Sequence, residues 1–115
     1  MRFLLLCCFD EKRWGALPDA QRDQIMRDYA GFVQSLDRSG QHLASAQLKP
    51  VSTAATVRAR NGKPTVTDGP FAETKEQLGG YHLIDCEGLD EALSIAQRIP
   101  TIPFGGAVEV RALQA

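Results

Sequence analysis

The sequence predicts an α+β fold in which helices pack on one face of an antiparallel sheet. Three observations support this prediction: short apolar segments of strand length recur along the chain, two longer segments carry apolar residues every three or four positions, and an Asn-Gly pair marks a β-hairpin. The chain has 115 residues, which suits one domain spanning residues 1–115. Its 43% hydrophobic and 23% charged content is typical of a globular protein with a packed core.

The first predicted element is the apolar segment from Arg2 to Phe9. Such a run after a single arginine also resembles the core of a signal peptide, or a lipid-attachment site at Cys7. However, the run is at the lower length limit for a signal core, and no small-residue cleavage site precedes Cys7 or follows Phe9. It is also too short to span a bilayer. We therefore interpret it as a buried strand and expect a cytoplasmic protein that does not bind membranes.

A helix is predicted between Pro18 and Gly40. Proline and Asp19 suit the first turn of a helix, and Gly40 suits the left-handed position that follows its last turn. A second strand is predicted over residues 42–48. The apolar stripe of the helix comprises Ile25, Met26, Tyr29, Phe32, Val33 and Leu36.

A β-hairpin is predicted around Asn61-Gly62, because both central positions of a two-residue hairpin turn require positive φ. This turn places Arg58 opposite Thr65. Since side chains alternate along a strand, the hairpin has one polar and one apolar face. The polar face carries Thr56, Arg58, Thr65 and Thr67, and the apolar face carries Val57, Ala59 and Val66.

The second half of the chain repeats the strand–helix–strand pattern. Residues 81–86 form a predicted strand, Pro100 stops a predicted helix, and residues 108–112 alternate as a last strand. Right-handed crossovers place both helices on one face of the sheet, which gives a ferredoxin-like sandwich. The other face needs cover, so we expect a homodimer. The stripe of the second helix comprises Leu89, Ala92, Leu93 and Ala96.

Composition excludes several classes of function. A net charge of -1 gives no electrostatic reason to expect nucleic acid binding. The three cysteines do not make a disulfide framework, and no cysteine or histidine spacing predicts a metal site. Gly79-Gly80 precedes a predicted strand rather than opening a helix, so it is not a phosphate-binding loop. We expect no cofactor.

The segment between the hairpin and the next strand concentrates the candidate site residues. Asp68-Gly69-Pro70-Phe71 is typical of a tight turn, which either only closes the hairpin or also holds the Asp68 carboxylate rigidly as a catalytic group. Glu73 and Lys75 are either solvated or line a polar cleft with Asp68. The predicted ligand-binding residues are Arg58, Thr67, Gly69, Pro70, Phe71, Glu73 and Lys75.

Arg58 is the best candidate for binding an anion. Its hairpin face also carries threonine hydroxyls, so a carboxylate or another anion would meet a forked donor together with hydroxyl groups. The alternative is an exposed arginine, or one in an ion pair with Asp68 or Glu73.

The stretch "TDGPFAETKEQLGGYHLID" at residues 67–85 resembles the signature of the DGPFAETKE-motif branch of the YciI-like (YCII-related) family. The resemblance extends to "TAATVR" at 53–58, "LDEAL" at 89–93, "RIP" at 98–100 and "VEVR" at 108–111, and so covers most of the chain. It implies a dimeric α+β barrel and a cytoplasmic bacterial protein. Some members of the family are similar to domains that are associated with extracytoplasmic-function sigma factors.

The two histidines have separate predicted roles. The wider YciI-like group has been suggested to use a His–Asp pair with the histidine on the first helix, but no histidine lies at residues 10–41 of this chain. His42, just after that helix, is the predicted substitute acid or base, because the ordinary pKa of histidine lies near neutrality. His82 stands where the family pattern has an aromatic residue, so we expect it to pack.

Two hypotheses of function follow. In the first, the protein binds a small polar or anionic molecule in a cleft formed by the motif and Arg58, and is a cofactor-free acid–base enzyme using Asp68 and His42. In the second, it is a non-catalytic regulatory or interaction dimer associated with a sigma factor. An enclosed cavity with a perturbed pKa would favour the first, and a shallow motif surface with an exposed apolar patch would favour the second.

Overall fold

A computed structural model describes residues 1–114. It has six strands, three α-helices and two short 3₁₀ turns. In chain order these are β1 (Arg2–Phe9), α1 (Glu11–Ala16), α2 (Asp19–Arg38), β2 (His42–Gln47), a 3₁₀ turn (Val51–Thr53), β3 (Ala55–Arg60), β4 (Lys63–Asp68), β5 (Gln77–Asp85), α3 (Leu89–Ala96), a second 3₁₀ turn (Ile102–Phe104) and β6 (Ala107–Ala112).

The main sheet has four strands in the order β2-β5-β1-β6, and every neighbouring pair is antiparallel. The first strand of the chain is therefore central, between two strands from the second half. This order and the positions of α2 and α3 confirm the predicted ferredoxin-like α+β fold. Within residues 1–114, none of the helices has the length and hydrophobicity that a membrane crossing requires.

The core lies between one face of the sheet and the helices. Phe3, Leu5 and Cys7 alternate along β1 and are buried, as their alternation predicts. They belong to one cluster with residues from both α2 and α3, so these helices cover the same face. Each fully buried leucine or phenylalanine side chain stabilises the fold by about 1.5–3 kcal/mol. The helix residues of the cluster are Phe32, Leu36, Ala92, Ile95 and Ala96.

The opposite face of the sheet is also largely apolar. Leu4 and Leu6 of β1 point to this side and lie opposite Leu83 and Tyr81 of β5. All four are only half-buried, and they lie outside the core cluster. We call this surface the open face. Its β2 residues are Ala44 and Ala46, which pair with Leu83 and Tyr81.

A hairpin made of β3 and β4 forms a separate two-stranded sheet. We call residues 51–76 the arm. The turn residues Asn61 and Gly62 have φ of 50° and 77°, and Arg58 pairs with Thr65, so the predicted register is confirmed. Within the described residues, the extensive contacts of the arm are those between its own two strands. The radius of gyration is therefore 16.0 Å, larger than the value of about 13 Å typical of a compact chain of this length.

Helix α1 is not among the predicted elements, and its first residue, Glu11, is hydrogen-bonded at both ends of the arm. The Asp10 side chain caps it by accepting from the Lys12 amide. The Glu11 amide donates to Oε1 of Gln77 at 2.8 Å, and Oε2 of Glu11 accepts from the Val51 amide at 3.1 Å. One residue thus holds the chain both where it enters and where it leaves the arm.

Strand β5 begins at Gln77, four residues before the prediction, so Gly79 and Gly80 lie inside the strand and not before it. The physical reason is a β-bulge: Cys7 pairs with Gly80 but Cys8 pairs with Leu78, which leaves Gly79 as the extra residue. A Cβ at Gly80 would lie 2.9 Å from the Ala46 carbonyl oxygen. The glycine pair therefore allows the backbone of β2 to approach closely.

Candidate functional site

A chain of four polar side chains runs from the surface into the core beside β2. Oδ1 of Asp37 lies 2.6 Å from Nδ1 of His42, and Nε2 of the same histidine lies 2.7 Å from Oγ of Ser45. The Ser45 hydroxyl lies in turn 2.6 Å from Nδ1 of His82. We call these four residues the Asp37–His82 chain. His42 is thus held at both ring nitrogens, with a carboxylate on one side and a hydroxyl on the other.

A β-bulge in β2 brings His42 and Ser45 to the same side of the sheet. In a regular strand, residues three apart point to opposite faces. Here His42 pairs with Ile84 while Ala44 pairs with Leu83, so Leu43 is an extra residue that shifts the alternation. His42 therefore points to the helix side, where it meets Asp37 at the end of α2. No local pattern in the sequence indicates this bulge, so Asp37 and Ser45 are not among the predicted site residues.

His82 is buried and fixed by aromatic contacts. Its exposed fraction is 5%, its ring stacks on Tyr29 with centroids 5.7 Å apart, and it forms a T-shaped pair with the Phe32 ring, with centroids 5.3 Å apart. Burial, with a smaller contribution from the nearby His42, lowers the pKa of His82 to about 4. His82 is therefore neutral at pH 7, and its predicted packing role is combined with a hydrogen bond to Ser45.

Tyr29 links the aromatic contacts to the central strand. Its hydroxyl donates to Sγ of Cys7 at 3.3 Å. Burial raises the pKa of the Cys7 thiol and of the Tyr29 phenol, so both groups stay protonated at neutral pH. Cys7 is thus a poor nucleophile, since the thiolate is the reactive form. Among residues 1–114, no group of three or more His, Cys, Asp and Glu side chains is arranged to hold a metal ion.

The motif at the end of the arm is folded back onto the polar face of the hairpin through backbone carbonyls. Gly69 has φ of 99° and its amide donates to the Ala54 carbonyl at 2.8 Å. The Thr56 hydroxyl donates to the Gly69 carbonyl at 2.8 Å, and Nη2 of Arg58 donates to the Phe71 carbonyl at 2.8 Å. The structure thus brings together Arg58, Gly69 and Phe71 among the predicted ligand-binding residues.

The Asp68 carboxylate lies elsewhere. Asp68 pairs with Ala55, which places it on the apolar face of the hairpin with Val57 and Val66, opposite to Arg58. Within residues 1–114 its carboxylate accepts no hydrogen bond and makes no ion pair. The Asp68–Arg58 ion pair that the sequence analysis left open as an alternative is therefore absent from the described residues.

The remaining predicted ligand-binding residues lie at the surface of the arm. The Thr67 hydroxyl donates to the Thr56 carbonyl at 3.4 Å. Pro70 is half-buried, while Glu73 and Lys75 are exposed. The Phe71 ring is 75% exposed, although its carbonyl is held by Arg58. In the single chain the motif is therefore an open surface and not an enclosed cleft.

His42 is separated from the motif along the chain. It stands at the start of β2, and the arm follows the other end of that strand at Gln47. Five residues of extended chain correspond to about 17 Å. The structure therefore joins His42 to the residues of the Asp37–His82 chain and not to Asp68.

Comparison with known proteins agrees with the fold. The profile of the YCII-related domain family matches residues 1–114. The chain belongs to the YCII-related family. An uncharacterised protein of Rhizobium meliloti (strain 1021) is similar to this YCII-related chain, with 41% identity over 98% of the chain and 92% of that protein.

Proposed function

We propose that this YCII-related protein is a homodimer that binds a small polar or anionic molecule on the polar face of the arm. The observation that carries the proposal is the 2.8 Å bond from Nη2 of Arg58 to the Phe71 carbonyl. This bond uses one N–H of a guanidinium that has five, so donors remain for a carboxylate or phosphate. It also fixes the arginine in place before a ligand arrives, which reduces the entropy lost on binding.

The proposed dimer follows from two apolar surfaces. The open face carries half-buried Leu4, Leu6, Tyr81 and Leu83. The apolar face of the arm carries Val57 and Val66, which are 65% and 69% exposed. Contiguous apolar surface of this kind is typical of protein interfaces. A second copy would cover the open face and the apolar face of the arm.

The dimer also gives Asp68 a place in the proposal. Because Asp68 shares a face with Val57 and Val66, its carboxylate would point toward the partner protomer while Arg58 points away from it. Asp68 and His42 remain the proposed acid–base residues of a cofactor-free enzyme.

The second candidate function is a non-catalytic interaction dimer. It is favoured by the exposure of Val57 and Val66 on one face of the hairpin, because two large apolar side chains on a shallow surface suit a macromolecular partner as well as a second copy. We propose a sigma factor as that partner because of the family resemblance. We also propose a cytoplasmic location, which rests on the same resemblance and on the interpretation of Arg2–Phe9 as a strand.

A thermal-shift titration with inorganic phosphate and with short dicarboxylates tests ligand binding. A ligand that binds only the native state raises the midpoint temperature of unfolding. At a ligand concentration 100 times the dissociation constant, the free energy of unfolding increases by about 2.7 kcal/mol. We expect this shift in the wild type and its loss in Arg58→Gln. Arg60→Gln is the matched control, since Arg60 lies two residues along the same face of β3 and makes no bond to the motif. Equal shifts of the midpoint in both variants would mean that the ligand binds away from Arg58, and no shift in the wild type would favour the interaction dimer.

A further inference from the structure

We propose that Ser45 is the nucleophile of an acyl-transfer site that acts on small carboxylic esters, with His42 as its general base. Three side chains stand in the required connectivity: the Asp37 carboxylate contacts Nδ1 of His42, and Nε2 of that ring contacts Oγ of Ser45, at 2.6 and 2.7 Å. The same carboxylate–imidazole–hydroxyl order activates serine in hydrolases of unrelated folds. This inference does not depend on ligand binding at the arm.

The hydrogen bonds of the Asp37–His82 chain are consistent with only one direction when both histidines are neutral. The Asp37 carboxylate can only accept, so Nδ1 of His42 donates to it and Nε2 of His42 must accept. The Ser45 hydroxyl therefore donates its single proton to His42. Its oxygen can then only accept from His82, whose Nδ1 must carry a proton. The serine proton is thus directed at the base that would remove it.

Ser45 is accessible to an ester that arrives from solvent. It lies on β2, an edge strand, and the residue is exposed, while the His42 side chain is 17% exposed. The Leu48 amide donates to the Gly79 carbonyl of β5, and amides alternate in direction along an antiparallel strand. The Ser45 amide therefore points to the free edge, where it can donate to the oxyanion of a tetrahedral intermediate.

The reaction proceeds in two balanced steps. Oγ of Ser45 forms a bond to the ester carbonyl carbon while its proton moves to Nε2 of His42. The intermediate collapses, the bond to the alkoxy oxygen breaks, and that oxygen takes the proton from His42 and leaves as an alcohol. Water then attacks the acyl-serine with His42 again as base, which releases a carboxylic acid and restores Ser45.

His82 and the aromatic rings around it position the nucleophile. The stacked Tyr29 and the T-shaped pair with Phe32 hold the His82 ring, and its N–H holds Oγ of Ser45 at 2.6 Å. In addition, a neutral N–H donor stabilises negative charge on the serine oxygen as the proton leaves. His82 is thus a positioning residue, since it acts through Ser45.

The first test is covalent labelling of the native wild-type protein with a fluorophosphonate probe and with p-nitrophenyl acetate. Peptide mapping by mass spectrometry locates the adduct. We expect one phosphonyl or acetyl group on Ser45 and none on Ser45 after unfolding in denaturant, because the activation depends on the folded geometry. Labelling confined to lysines or histidines, or equal labelling of Ser45 in the folded and unfolded protein, would overturn the proposal.

The second test compares rates of p-nitrophenol release between variants. Ser45→Ala and Asp37→Asn should each lower the rate by at least about 100-fold, the lower end of the range for loss of acid–base or nucleophilic assistance. Ser39→Ala is the matched control, because Ser39 is also a surface serine near the end of α2 but donates to the Leu36 carbonyl. If Ser45→Ala releases p-nitrophenol at the wild-type rate, the ester is cleaved by surface histidines and the proposal that Ser45 is the nucleophile is wrong.

Discussion

Asp68 and Arg58 lie on opposite faces of the arm, since Asp68 pairs with Ala55 and Arg58 pairs with Thr65, three pairs further along the ladder. An ion pair between them would require both side chains to reach the same face. We therefore expect Asp68→Asn and Arg58→Gln to act independently on stability, with a coupling free energy below about 0.5 kcal/mol in a double-mutant cycle. Chemical unfolding of the two single variants and the double variant provides the measurement. A coupling above about 1 kcal/mol would instead indicate a structural ion pair.

Gly80→Ala should weaken the pairing of β2 with β5. The added Cβ would lie 2.9 Å from the Ala46 carbonyl oxygen, which belongs to the backbone and cannot rotate away. We expect a loss of about 1–3 kcal/mol, the usual cost of overpacking. Gly79→Ala is the matched control, since its Cβ would lie at an ordinary 3.9 Å from the Cys7 carbonyl. Urea midpoints that fall equally in the two variants would show that the close approach is not the cause.

Gly69→Ala should destabilise the turn that begins the motif. Gly69 has φ of 99°, a conformation that residues with a Cβ adopt at a cost, although no atom stands in the way of the added methyl group. We expect a loss of about 1 kcal/mol in the free energy of unfolding. An unchanged denaturant midpoint would mean that the Ala54–Gly69 bond can form with φ in the ordinary region.

Acidification should destabilise the protein partly through His82. Its folded pKa of about 4 lies below the ordinary value of 6.5, so between these values the unfolded chain binds the extra proton. The part of the unfolding free energy that depends on neutral His82 is fully present above pH 6.5. It falls by at most about 3 kcal/mol as the pH falls toward 4.

The variant His82→Gln isolates this contribution, because glutamine does not titrate. The difference in unfolding free energy between wild type and variant should narrow as the pH falls from 6.5 to 4. If the difference stays constant across this range, His82 titrates normally and is not the group responsible.

Dimerisation should depend on the open face. We expect multi-angle light scattering to give twice the 12.6 kDa chain mass at micromolar concentration, and Leu83→Asp to shift the protein to monomer, since a charge on this face would have to be desolvated in the interface. Leu89→Asp is a suitable control, because Leu89 is an exposed leucine on α3, away from this face. A folded wild-type monomer would remove the dimer from the proposal.

Most of the fold follows from patterns that act over a few residues. Alternation along Arg2–Phe9 identifies β1. The Asn61-Gly62 turn determines the register of the hairpin, because a two-residue turn allows only one pairing of the residues on the two strands. Pro18 and Gly40 mark the ends of α2 closely, since each suits a single position relative to a helix.

The candidate site is less predictable because it depends on a β-bulge. Strict alternation assigns His42 and Ser45 to opposite faces, and only the extra residue at Leu43 brings them together. No local signal in "HLASAQ" distinguishes a bulged from a regular strand. The face of Asp68 was predictable from the register, however, because Asp68 follows Thr67 on the same strand.

The central position of β1 affects the order in which the molecule can fold. Both of its neighbours come late in the chain, since β5 begins at Gln77 and β6 at Ala107. During synthesis the apolar segment from Leu4 to Cys8 therefore remains unpaired on one edge until β6 is made, roughly 5–20 s later at ordinary elongation rates. Long-range pairing of this kind slows folding, and an unpaired apolar strand is prone to aggregate. We therefore expect the nascent chain to depend on chaperones more than its small size suggests.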